Sequence, residues 1–249
     1  MKSGKSTAFF KSCIALLAVI LASVYTVQGQ AVKAELPVYQ VERLMQPISG
    51  VQKWKGSEWR HITPVKINNY MGKLPSFIPS AEAKMMYDDE NLYVMYRVKD
   101  KFVSSKIVAI NGAVFNESAV EFFFSPDTTA PKTFFNLEIN AGGTPLLGYR
   151  AKKPSVEDIQ KIVIQHSLPQ VVDPEITKKV TWTIFVKIPI DMLAKYANVT
   201  RPEKGVAWRA NFYKIAEKTS NIHFITWSRI YNEKPNFHLP QFFGRLVFN

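Results

Sequence analysis

The sequence contains one cysteine, Cys13, and four histidines among its 249 residues. Cys13 precedes an apolar run in an N-terminal segment expected to be removed, so the remaining chain carries no thiol. That excludes disulfides, thiol catalysis and cysteine-ligated zinc, and it leaves stability to a packed core. His61, His166, His223 and His238 are far apart and show no close metal-ligand spacing. Glycine (11) and proline (15) are too sparse for a fibrous or low-complexity chain. No G-x-S-x-G elbow, P-loop or G-x-G-x-x-G fingerprint occurs. Nor does any run of five basic residues, so the excess of basic over acidic groups, 32 against 20, does not make a nucleic-acid reader. No apolar stretch reaches the ~20 residues needed to span a bilayer.

What is present begins with an export signal. Lys2, Lys5 and Lys11 form a positive region, Ile14 to Val24 is apolar apart from Ser23, and Val27-Gln28-Gly29 offers a cleavage site, with Ala31 as second choice. The segment 1–29 is therefore expected to be a signal peptide and 30–249 the mature chain, secreted or periplasmic, with no membrane span. Three lysines leave with it, so 29 basic groups face 20 acidic ones, a net charge of +9.

The mature chain reads as strands. Ala83–Tyr87 and Leu92–Lys99 flank Asp88-Asp89-Glu90-Asn91, good hairpin-turn chemistry. Further runs are Ser118–Phe124, Phe134–Asn140, Ile162–His166, Val180–Ile188, Gly205–Ile215, His223–Ser228 and Arg245–Phe248. Only Asp191–Tyr196 looks helical. Roughly nine short strands and almost no helix predict an all-β sandwich, and no linker or internal repeat divides it.

Alternation sorts the faces. Leu92, Val94, Tyr96 and Val98 share one face, as do Val120, Phe122 and Phe124; Phe135, Leu137 and Ile139; and Val206, Trp208, Ala210 and Phe212. These sets are core. The opposite faces carry Arg97, Glu121, Glu138, Asn140, Arg209, Asn211 and Tyr213. If the strands are neighbours, these residues form a stripe of planar hydrogen-bonding groups beside aromatic rings. Such a stripe suits a sugar, because hydroxyls both donate and accept while rings cover the C–H face of a pyranose. The plain alternative is a solvated sheet face with ion pairs such as Arg209 to Glu138.

Several segments, in order and spacing, resemble the family 9 carbohydrate-binding modules: Ala83–Val94 with Val98-Lys99-Asp100; Glu117–Phe123; Phe135–Asn140; Trp208–Lys214; Thr226-Trp227-Ser228; and Asn236–Gly244. The likeness spans about Trp59 to the C-terminus and points to a secreted bacterial branch. It implies a jelly-roll-like antiparallel β-sandwich, one domain after the signal peptide, that binds glycans without cutting them and supports glycan breakdown by enzymes acting elsewhere. It also implies an aromatic platform at Trp227, with Arg97, Glu121, Glu138, Asn140, Arg209, Asn211 and Tyr213 around the sugar. The family's second tryptophan has three contenders here, Trp54, Trp59 and Tyr213. Trp59 is also expected to pack where the first strand enters the sandwich, and Trp182 and Trp208 fall on core faces. Calcium can be present in the family, but hairpin chemistry explains Asp88, Asp89 and Glu90 equally well, and no EF-hand-type loop exists.

Two alternatives belong to other classes. A glycosidase needs two carboxylates about 5–9.5 Å apart. Glu117 and Glu121 lie about 13 Å apart along one strand, whereas Glu121 and Glu138 approach the required range if their strands are adjacent. The second alternative is a protein-interaction scaffold in which the stripe is a partner surface.

Overall fold

The computed structural model describes residues 35–46, 48–149 and 153–249. The expected signal peptide, with Cys13, lies outside the described residues. Fifteen strands are found there, and only short helical turns. The hairpin read around Asp88 joins β4 (Ser80–Tyr87) to β5 (Asn91–Asp100). Asp88 builds the turn: its carboxylate accepts from the amides of Glu90 and Asn91 at 2.9 and 2.7 Å and from the Tyr93 hydroxyl at 2.6 Å. Three hydrogen bonds hold it ionised below the usual carboxylate range, against the burial that opposes this.

Two sheets follow from strand pairing. In one, β5 lies between β4 and β12 (Val180–Pro189), with β10 (Val163–His166) beyond β12 and β2 (Val65–Ile67) against β4. In the other, the order is β15 (Gly244–Phe248), β13 (Ala207–Ala216), β7 (Ala119–Ser125), β8 (Phe135–Asn140), β9 (Pro145–Tyr149). β14 (His223–Thr226) also pairs with β13, and β3 (Asn69–Met71) with β14. β1 (Val38–Arg43) runs parallel to both β15 and β4, so it connects the sheets through its backbone. The sandwich is thus antiparallel except along β1. A separate ribbon pairs β6 (Val103–Ser105) with β11 (Val172–Ile176). The α-helical turns are α1 (Val156–Ile159) and α2 (Ile190–Ala194), the latter starting one residue before the predicted Asp191, and Val114–Asn116 and Pro240–Phe242 are 3-10 turns.

The expected core faces meet between the sheets. Val94, Tyr96 and Val186 oppose Val120, Phe122, Leu137 and Ile139. Phe122 stacks on Phe212 with centroids 4.9 Å apart, and Tyr96 meets Phe212 edge-on at 6.1 Å. Trp182 and Trp208 are fully buried there, as alternation indicated. The outer face of β5 is covered too. Trp54, Trp59 and Ile62 pack on Met86, Tyr93, Met95 and Phe185, and the Lys84 ammonium ties them down by donating to the carbonyls of Trp54 (3.2 Å) and Trp59 (2.6 Å).

One charged cluster crosses the core. The buried Lys214 faces Asp100 at 3.2 Å and donates to His223 Nε2 at 2.8 Å and to the Ile215 carbonyl at 2.9 Å. His223 Nδ1 lies 2.6 Å from the Asn221 carbonyl, so Nδ1–H donates there and neutral Nε2 accepts from Lys214. Burial, and then the Lys214 charge, push the imidazole down to a pKa of about 2. The unfolded chain, with histidine near pH 6.5, therefore binds a proton that the fold refuses. This contribution to stability is complete above about pH 6.5 and is lost as pH falls toward 2. His223→Gln, which keeps an acceptor for Lys214 but cannot titrate, is expected to be less stable than wild type at pH 7. Its deficit should shrink in acid, as read from denaturant midpoints across that window; a constant gap would refute the account.

Candidate functional site

The centre of the candidate site is a row across three strands. Register places Tyr213 opposite Glu121 and Glu121 opposite Glu138. All three point away from the core, because Val120, Phe122, Leu137 and Phe212 take the inner positions. Directly opposed residues have Cβ atoms about 4.5–5.5 Å apart, so the two carboxylates are neighbours. From the far sheet, the Tyr96 hydroxyl crosses the core and donates to the Glu121 carbonyl at 2.8 Å, fixing β7 under the row.

Above the row lies a cleft of roughly 220 Å³. Glu121, Glu138, Glu217 and Asn236 supply its polar lining, and Phe115, Phe123, Phe224, Phe237 and the His238 ring are its aromatic walls. The closing segment after β14 brings in Phe237, which stacks on Tyr213 at 4.1 Å and 14° and meets Phe224 edge-on at 6.2 Å. His238 leans on Phe123 with 5.0 Å between centroids, and the covering of its ring lowers its pKa.

The carboxylates are hardly neutralised. Glu121 is 2 % exposed and Glu138 5 %. Asn136 donates to Glu138 Oε1 at 2.9 Å, while Glu138 Oε2 has no hydrogen-bond partner among the described residues. Burial first, then the adjacent Glu138 and Glu217, hold the Glu121 pKa well above the carboxylate range. Burial, with a smaller push from Glu217, raises Glu138 to about 7 despite the Asn136 bond. Among the described residues no Lys or Arg forms an ion pair with either. A close approach orients Asn136: its amide lies over Gly148 of β9, where an added Cβ would sit 2.3 Å from Oδ1.

Of the eight residues predicted for the site, Glu121 and Glu138 line the cleft, and Tyr213, fully buried, backs its wall under Phe237. The other five lie elsewhere. Trp227 is not an exposed platform. Its ring sits in the core at 9 % exposure, edge-on to Tyr39 (6.5 Å) and tilted against Phe212 (5.6 Å), and flush with Gly244, where a Cβ would come within 2.7 Å. Arg97 is on the other sheet, bonded to Glu82 at 2.5 and 3.1 Å and lying 4.7 Å over Trp54. Arg209 does not pair with Glu138; its guanidinium donates to the carbonyls of Phe243 and Gly244. Asn211 exchanges two hydrogen bonds with the Ser228 backbone, at 2.9 and 2.8 Å. Asn140 donates to Ile107 O (2.8 Å) and Glu117 (3.0 Å). These four groups hold loops and neighbouring side chains. Of the contenders for a second aromatic, Trp54 and Trp59 pack on the opposite sheet.

The acidic turn does not fit calcium. Asp88 is occupied by its turn and by Tyr93, and Asp89 is bonded to Arg43 at 2.6 and 2.7 Å. Among the described residues no group of three His, Cys, Asp or Glu side chains could hold a metal ion.

The segment 54–248 matches carbohydrate-binding family 9, and the chain belongs to that family. A structure from Bacteroides uniformis, described as a candidate carbohydrate-binding protein, is 25% identical with a TM-score of 0.77, the match covering 86% of this chain and all of that one. A family 9 carbohydrate-binding module from Caldicellulosiruptor kristjanssonii has been solved with cellotriose (15% identity, TM-score 0.59, 85% of this chain and 93% of that one) and with glucose (15%, 0.58, 86% and 96%). Comparison with curated proteins gives no match.

The position of Trp227 has a direct consequence. Trp227→Ala is expected to destabilise the fold by about 3–5 kcal/mol, the range for removing a large buried aromatic, as measured by chemical denaturation. A variant as stable as wild type would return Trp227 to the surface.

Proposed function

We propose that this chain is an exported, non-catalytic carbohydrate-binding protein whose sugar seat is the cleft over Tyr213, Glu121 and Glu138. The observation that carries the reading is the combination in that cleft of a buried carboxylate oxygen lacking a donor, Glu138 Oε2, with rings on several sides. A sugar hydroxyl would supply the missing donor, and the phenylalanine rings would cover the C–H faces. Membership of carbohydrate-binding family 9, and the glucose and cellotriose bound by the Caldicellulosiruptor module, favour a glucan-type or related plant or microbial oligosaccharide. The N-terminal sequence favours secretion or the periplasm, where the protein would hold glycan near degrading enzymes. Among the described residues no helix is long and apolar enough to cross a membrane.

Hydrolysis is the second reading, because Glu121 and Glu138 are paired across strands and have raised pKa values. Burial and mutual repulsion give one carboxylate a reason to stay protonated, and neither Arg97 nor Arg209 lies beside them to oppose it. Their placement argues for binding instead. Both project from one sheet face, beneath a ligand, whereas glycosidase carboxylates flank the scissile bond from opposite sides.

The test is a glycan array on residues 30–249 that includes glucose and cello-oligosaccharides, with assay of the same glycans for reducing ends. Binding without products is expected. Phe224→Ala, a half-buried wall residue, should weaken binding about ten- to hundredfold, the scale of losing one stacking ring, with the melting temperature checked in parallel. Product release abolished by Glu138→Gln would install the enzyme reading, and no binding to any glycan would leave a protein partner.

A further inference from the structure

The cleft concentrates acid in a chain that is basic overall. Three glutamates line it, from β7, from β8 and from just after β13, and no ammonium or guanidinium enters it among the described residues. Lys214 and Lys153, whose charges act weakly on the two glutamates, are hydrogen-bonded elsewhere. Lys214 lies on the core side of β13, held by Asp100 and His223. Lys153 reaches the Asn111 carbonyl at 3.4 Å, and Arg209 is bonded to the carbonyls around Phe243. His238 stands at the rim, and the covering of its ring lowers its pKa below the ordinary histidine value. Glu138 is 95 % buried, yet its Oε2 lines the cleft with nothing donating to it. Four phenylalanines surround this acidic floor, and aromatic faces attract a cation as carboxylates do.

A neutral sugar gives these buried carboxyls no counter-charge with which to ionise. An ammonium group supplies three donors and a full positive charge, and charge-assisted hydrogen bonds are about twice as strong as neutral ones. We infer that the cleft selects sugars carrying a free amine, with the ammonium seated between Glu121 and Glu138 and the ring between the phenylalanines. The inference rests on reading the cleft as a sugar seat and names the class of sugar. With no ligand bound, burial and mutual repulsion favour the protonated form of the two carboxyls. An ammonium takes over that role, so its binding expels a proton and a neutral sugar's does not.

Titration calorimetry at about pH 6, where a sugar amine is charged, compares three β-1,4-linked trimers on the mature chain. One is the glucosamine trimer, one the N-acetylglucosamine trimer and one cellotriose, differing only at C2. The glucosamine trimer is expected to bind at least tenfold more tightly than the other two. Its apparent enthalpy should change between buffers of different ionisation enthalpy, reporting proton release, while that of cellotriose does not. Glu138→Gln should bring the glucosamine-to-cellotriose affinity ratio to about one and abolish the proton release, and the ratio is read within the variant because Glu138 also belongs to the sugar seat. Cellotriose binding as tightly as the glucosamine trimer overturns the inference and leaves the sugar seat standing. Binding of none of the three overturns both. A preference that survives in Glu138→Gln and in Glu121→Gln places the amine elsewhere and also overturns it.

Discussion

The register of β7 between β13 and β8 is the constraint on which the rest depends. Side chains alternate with period two, so a slip of one residue would turn Glu121 into the core and push Phe122 and Phe124 out. Phe122 and Phe124 are stacked 4.6 Å apart within a set of aromatic rings that includes Phe135, Phe212 and Trp208, so that alternative is closed. The same register that fills the interior sets two carboxylates side by side on the outer face. Core and site are the two faces of one strand arrangement.

Environment, not residue type, distinguishes the glutamates. Glu82 lies beside Arg97 in a half-exposed ion pair. Glu117 is buried but satisfied, accepting from the amides of Lys106 and Ile107 and from Asn140. Glu121 and Glu138 are at least as deeply buried, yet among the described residues they accept from no backbone amide and only Asn136 donates to Glu138. Burial without compensation is costly for stability and is ordinarily removed by pairing. Where it persists beside an open cleft walled by rings, the unmet hydrogen-bonding capacity faces a ligand.

Alternation made the sandwich legible in the sequence, and within the site it made Glu121, Glu138 and Tyr213 legible as one face. It could not show what covers that face. Asn140, Asn211 and Arg209 point outward as alternation required, but the Lys106–Ile107 loop, the Ser228 backbone and the Phe243 carbonyl occupy them. The error at Trp227 differs in kind. Within His223–Ser228 it shares parity with Ile225, a core residue, so alternation alone places it inside, and likeness to a family pattern placed it outside. The first strands, β1 to β3, and β6, β9 and β11 were missed. β9 reads Pro-Leu-Leu-Gly-Tyr, with proline and glycine where a strand signal would be, and its Gly148 is required by the amide of Asn136 lying across it. Phe224 and Phe237 reach the cleft only because the closing segment folds back over the sheet, a long-range event with no local periodic signature.

The bridging position of β1 sets an order of events in time. Its partner β15 follows more than 200 residues later, Val38 lying opposite Arg245, so no early part of the chain can satisfy that edge of β1. A ribosome emits the chain from one end, and until β15 has emerged the two sheets lack the seam that joins them through β1. The polypeptide is therefore kept from closing prematurely by its own topology. Closure of the sandwich along β1 thus waits for the last strand to be made.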